Sequence, residues 1–192
     1  GEGGMIVTND DETAQKLNLL RSHGMTSLTW DRHQGHAWSY DVVEVGYNYR
    51  IDEIHSALGR EQLKKLNAFN ARRGEITTLY RELLNELCPQ VGVPFENHPG
   101  QPAYHIMPIL LPVGKKRLSF MEAMKEQGVQ TSVHYPPIHQ FSSFKGQAHG
   151  NDPLTLTEEV AQREVTLPLY PTLTDEQVEV VVRAVQKALK AT

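Results

Sequence analysis

The feature that most constrains this chain is the uninterrupted helical run from residue 52 to about residue 87, closed by Pro89. Its second half is strongly amphipathic, with Ile76, Leu79, Tyr80, Leu83, Leu84 and Leu87 on one stripe. At 1.5 Å per residue such a helix spans about 50 Å, more than the width of one small domain. It is therefore expected to link two bodies. Gly59 and Gly74 each cost about 1 kcal/mol relative to alanine in a helix interior, so each marks either a bend or a close contact.

Before this helix, Met5, Ile6, Val7 and Thr8 read as a short buried strand. Asn9 and Asp10 offer capping oxygens to a helix that runs to about Ser22, with Ala14, Leu17 and Leu20 inward and Gly24 as a left-handed stop. From residue 25 to residue 45 no periodicity survives. A run of that length carrying Trp30 and Trp38 is expected to be a binding loop. His33 and His36 stand beside Asp31, but no second ligand pair has the spacing of a zinc or non-haem iron motif, so no metal is expected.

After the helix, residues 104–111 read as a strand with Pro108 confined to an edge or a bulge. A helix over residues 115–127 follows, with Leu118, Met121 and Met124 inward and Gly128 as its stop. Val129, Thr131 and Val133 alternate as a strand; a short helix is expected near residues 157–164 and an edge strand over residues 165–169. Thr174 and Gln177 form a capping box for a closing helix whose inner stripe is Val178, Val181, Val182, Val185 and Leu189.

Composition excludes several classes of function. A net charge of -4 and scattered lysines and arginines give no basic field for nucleic acid. No apolar stretch approaches the ~20 residues of a membrane span. Cys88 is the only cysteine, so no internal disulfide exists, and a reducing, cytoplasmic setting is expected.

Two stretches are chemically dense. Gly46-Tyr47-Asn48-Tyr49-Arg50 runs directly into the long helix, combining the amide of Asn48, the permanently charged fork of Arg50 and the positive end of a helix dipole. Those donors suit a phosphate; the alternative is a plain surface loop in which Tyr47 and Tyr49 pack and Arg50 pairs with a carboxylate. His134-Tyr135-Pro136-Pro137-Ile138-His139 is the second, stiffened by two prolines. It reads either as a pre-organised site or as a rigid loop with satisfied surface histidines.

Taken in order, Gly1-Glu2-Gly3-Gly4-Met5-Ile6-Val7-Thr8-Asn9, Leu20-Arg21-Ser22-His23-Gly24, Gly46-Tyr47-Asn48-Tyr49-Arg50, His134-Tyr135-Pro136 and Leu167-Pro168-Leu169-Tyr170-Pro171 resemble successive landmarks of the DegT/DnrJ-type sugar aminotransferases. These are pyridoxal-phosphate enzymes of the aspartate-aminotransferase fold. The resemblance implies the C-terminal part of an α/β, fold-type I transferase: residues 1–50 as the tail of the large domain with an interface loop, 51–88 as the linking helix, and 89–192 as the small α/β domain. It places the cofactor lysine a few residues before Gly1, so the chain by itself is expected to lack it and to be inactive alone; Lys16, Lys64 and Lys65 match no catalytic position.

By the same resemblance, Asn48 contacts the pyridoxal phosphate of the neighbouring subunit in a homodimer, with Arg50 as a helper. His134 and Tyr135, and more weakly His139, lie near a nucleotide-sugar substrate, and the nitrogen comes from an amino acid, usually glutamate. Two alternatives stay open: a relative in which histidine replaces the lysine and the cofactor drives dehydration of the sugar, and a dimerising module without catalysis.

Overall fold

Helix α1 (Asp11–Leu20) opens where the sequence places its cap: an Asp10 side-chain oxygen accepts the Thr13 N–H at 2.7 Å, and Asp11 and Glu12 sit in the first turn, where the helix dipole favours negative charge. It closes on Gly24, at φ +70°, whose N–H donates to the Leu19 carbonyl at 2.9 Å. The computed structural model describes residues 2–26, 39–97, 99–144 and 153–191. Most of the expected binding loop, with Trp30, Asp31, His33, His36 and Trp38, lies outside the described residues.

The chain divides into two compact units, Gly1–Lys65 and Leu66–Thr192, and the boundary falls inside the long helix α2 (Glu53–Leu87). The helix is continuous through both glycines. Gly59 meets open space, whereas a Cβ on Gly74 would come within 3.0 Å of the Tyr104 ring. Gly74 thus marks a close contact.

In the first unit, Met5, Ile6 and Val7 form no strand and are more than two-thirds exposed. A strand needs a partner for its backbone N–H and C=O groups, and no described residue pairs with them there. The unit is held instead by pairing between the end of α1 and residues 42–49. Tyr47 N–H donates to the Leu20 carbonyl (2.7 Å), His23 N–H to Tyr47 (2.9 Å) and Tyr49 N–H to Arg21 (2.9 Å). Ser22 bridges Asn48, and Met25 bridges Val42, both antiparallel.

The second unit has one hydrophobic core. Strands β1 (Met107–Leu110) and β2 (Glu164–Leu167) pair antiparallel, with Met107 opposite Leu167 and Leu110 opposite Glu164. Around them pack the C-terminal half of α2 through Ile76, Tyr80 and Leu84, helix α3 (Arg117–Glu126) through Phe120 and Met124, and helix α5 (Asp175–Ala191). Helix α4 (Thr155–Arg163) leads directly into β2. The expected capping box opens α5: Gln177 N–H donates to Thr174 Oγ1 (3.2 Å) and Thr174 N–H to Gln177 Oε1 (3.0 Å). All five residues of its expected inner stripe are buried. Gly128 ends α3 at φ +76°.

Three expectations are corrected. Leu118 points outward, 70% exposed, and Phe120 fills its place, because the buried face of α3 runs through positions 120, 121 and 124. The strand expected over residues 129–133 is reduced to a bridge at Ser132. That bridge makes β2 interior: Thr166 exchanges both backbone bonds with Ser132 (2.8 and 3.1 Å) on the side away from β1. Pro108 stands opposite Thr166, whose backbone groups are already taken, so its missing N–H costs β2 no bond.

Two stability predictions follow from this core. The Tyr80 hydroxyl donates to the Pro168 carbonyl at 2.9 Å, and burial pushes its pKa well above the usual tyrosine value. Tyr80→Phe is expected to lower stability by about 1–2 kcal/mol by leaving that carbonyl unpaired, as read by urea denaturation. Cys88 is fully buried, and burial raises its thiol pKa. A disulfide exchange reagent is expected to label it only on unfolding; fast labelling of the native protein would contradict that burial.

Candidate functional site

The two candidate sites lie one in each unit. In the first, residues 47–50 are extended, so successive side chains alternate in direction. Tyr47 and Tyr49 stack on one side, with ring centroids 4.9 Å apart and planes 12° from parallel. Asn48 and Arg50 meet on the other, Arg50 Nε donating to Asn48 Oδ1 at 3.2 Å. All four are exposed. Because the amide oxygen of Asn48 is engaged by Arg50, its NH2 group is the part left to donate outward.

Among the described residues, no carboxylate lies within ion-pair distance of Arg50. The helix-dipole contribution is also smaller than the sequence implies. Asp52 already caps α2, accepting the His55 N–H at 2.8 Å and touching His55 Nδ1 at 2.6 Å, and these bonds hold its carboxyl below the usual range. The outward donors of this loop are therefore the side chains of Asn48 and Arg50.

Backbone geometry sets where that pair can stand. A Cβ on Gly46 would fall 2.3 Å from the Gly24 nitrogen, and one on Gly24 would fall 1.8 Å from the Glu44 carbonyl oxygen. Only glycines let the two segments approach this closely. The Leu20–Gly24 and Gly46–Arg50 motifs are thus two halves of one structure, joined by the bonds that the Leu20 and Arg21 carbonyls accept and the His23 N–H donates.

In the second unit, His134 is half-buried against β2. Its backbone N–H donates to Glu164 Oε2 (3.1 Å), its ring Nδ1 contacts Thr166 Oγ1 (2.9 Å), and Thr166 Oγ1 donates to Glu164 Oε1 (2.5 Å). Val165 and Leu167 face the hydrophobic core, so Glu164 and Thr166 occupy the other face of β2. Tyr135 is 69% exposed and its ring meets the His134 ring edge-on, centroids 4.7 Å apart. His139 belongs to a different arrangement: on a single 3-10 turn (Ile138–Gln140), its Nε2 contacts Glu158 Oε1 at 3.0 Å and holds that carboxyl below its usual range.

An open groove of about 550 Å³ lies beside Thr166, lined by Thr131, Ser132, Thr166, Pro168, Tyr170 and Gln177 among others; His134 and Tyr135 do not line it. The buried Thr131 hydroxyl has no hydrogen-bond partner among the described residues. Sequence reasoning singled out neither Glu164 nor Thr166. Polar residues at alternate positions of an otherwise apolar strand were the available signal.

No group of three or more histidine, cysteine, aspartate or glutamate residues suited to a metal occurs among the described residues. No helix there is long and apolar enough to cross a membrane.

This architecture places the chain with the fold-type I pyridoxal-phosphate-dependent transferases. The aminotransferase PseC of Helicobacter pylori, involved in the biosynthesis of pseudoaminic acid, superposes with a TM-score of 0.80 at 28% identity, over 96% of this chain and 48% of that one. The chain belongs to the DegT/DnrJ/EryC1/StrS aminotransferase family, whose sequence profile matches residues 1–186. That family comprises pyridoxal-phosphate-dependent sugar aminotransferases of polysaccharide and deoxysugar biosynthesis.

The uncharacterized protein MJ1066 of Methanocaldococcus jannaschii is 36% identical over 97% of this chain and 50% of its own length. The spore coat polysaccharide biosynthesis protein SpsC of Bacillus subtilis is 32% identical over 99% of this chain and 50% of its own. The chain thus spans about half the length of the curated relatives it matches, as expected of a C-terminal portion of this fold.

Proposed function

We propose that this chain is the C-terminal portion of a homodimeric, cytoplasmic aminotransferase that moves an amino group from an amino acid, glutamate first among them, to a keto-sugar carried on a nucleotide. Residues 1–50 close the large domain, 51–88 link, and 89–192 form the small domain. The observation that carries the reading is the Asn48–Arg50 pair, exposed, backed by a bonded loop and without a carboxylate partner among the described residues.

Those donors fit the phosphate of pyridoxal phosphate: an outward amide and a permanent cation complement a group with two negative charges. When bound, that cofactor supplies a carbonyl carbon that takes up nitrogen and a ring that accepts electrons. The chain's own residues bind and orient. Asn48 and Arg50 hold the phosphate of the partner's cofactor, the stacked Tyr47 and Tyr49 add apolar contact between subunits, and His134 and Tyr135 meet the sugar nucleotide. His139 steadies that loop through Glu158 and makes a lesser contact.

The test is turnover by the full-length protein loaded with pyridoxal phosphate, given L-glutamate and a panel of nucleotide-linked keto-sugars. Formation of 2-oxoglutarate with a matching amino-sugar supports the reading. A sugar that loses water without gaining nitrogen would assign the protein to dehydration. A stable dimer that binds no cofactor would leave only the dimerising role.

A further inference from the structure

We propose that Glu164 and Thr166 are positioning residues that fix His134 as its Nδ1–H tautomer and so present the Nε2 lone pair to a hydroxyl or ammonium donor on the substrate. A threonine hydroxyl has one proton. Here it is spent on Glu164 Oε1 at 2.5 Å, a length expected of a bond to an ionised carboxylate. The same oxygen can then only accept at its second contact, so the proton between it and His134 lies on Nδ1.

The other carboxylate oxygen is engaged by the His134 backbone N–H, which ties ring and main chain to one anchor. Glu164 is 6% exposed, and among the described residues no lysine, arginine or histidine side chain forms an ion pair with it. A buried carboxylate without a counter-charge depends on its hydrogen-bond donors, so the Thr166 proton is committed to it. With the ring proton on Nδ1, Nε2 of the His134 tautomer is a pure acceptor. A substrate hydroxyl, or an amine once formed, is the complementary donor.

This inference rests on the reading of His134 as a substrate contact, but its test needs neither substrate nor cofactor. Two-bond 15N–1H correlation spectra of the histidine rings, recorded on the cofactor-free full-length protein above the histidine titration range, report the tautomer directly. The wild type is expected to show Nδ1 as the protonated nitrogen of His134 and Nε2 as the bare one. Thr166→Val removes the hydroxyl while keeping a β-branched side chain, and is expected to abolish that preference; Thr166→Ser is expected to restore it. Glu164→Ala frees the hydroxyl to donate to Nδ1, and is expected to shift the proton to Nε2.

A wild-type His134 protonated on Nε2 would overturn the proposal, as would a folded Thr166→Val variant that keeps the Nδ1–H form. Failure of the aminotransferase reading would appear only in the turnover assay.

Discussion

Replacing Asn48 with aspartate in the full-length enzyme is expected to weaken retention of pyridoxal phosphate by about 10²-fold, since losing a charge-assisted hydrogen bond and adding a like charge together cost about 3 kcal/mol. Equilibrium dialysis against the cofactor measures this directly. Arg50→Ala is expected to act in the same direction but more weakly. It removes one positive charge and also releases the Asn48 oxygen that Arg50 now holds. If both variants kept wild-type affinity, the loop would have no part in the cofactor site.

A second form of the same experiment asks whether Asn48 acts across subunits. At a cofactor concentration that saturates only the wild type, neither a subunit carrying Asn48→Asp nor one lacking the cofactor lysine should turn over substrate appreciably alone. Mixed, they should recover activity, because one site of each heterodimer then joins an intact lysine to an intact Asn48 from the partner. No recovery from a mixture shown to contain heterodimers would mean that Asn48 serves its own subunit.

Gly24→Ala is expected to disrupt the first unit while sparing the second. The residue sits at φ +70°, and a Cβ would lie 1.8 Å from the Glu44 carbonyl oxygen, a backbone atom that cannot move without breaking the loop. Left-handed backbone and clash together cost about 3 kcal/mol. In hydrogen exchange, the Tyr47 and Tyr49 amides should lose protection, because they donate to the Leu20 and Arg21 carbonyls beside the clash. Amides of β1, β2 and α5 should exchange as before. Equal loss in both units would mean that the chain unfolds as one body.

Much of this arrangement was legible in residues close together in the sequence. Asp10 capping Thr13, Thr174 with Gln177, Gly24 and Gly128 as left-handed stops, and the apolar stripe of α5 all appear as read. Each is a relation within about four residues, where spacing alone fixes geometry. The family was legible for a related reason, since its landmarks are short motifs in a fixed order.

Relations between distant residues were decided by the tertiary structure. Met5, Ile6 and Val7 have the composition of a strand but no described pairing partner, and composition cannot supply one. Residues 165–169 read as an edge until Ser132 is seen bonded to Thr166 from the far side. His134 stands 32 residues from Thr166 and 30 from Glu164, so nothing local marks these side chains as its partners. The sequence by itself determined the α-helices, several of their caps and the family, because caps and periodicity act within a single turn. Only the folded chain decided which loops pair, which strand is interior and what orients His134, because hydrogen bonds across such separations exist only once the intervening chain has closed.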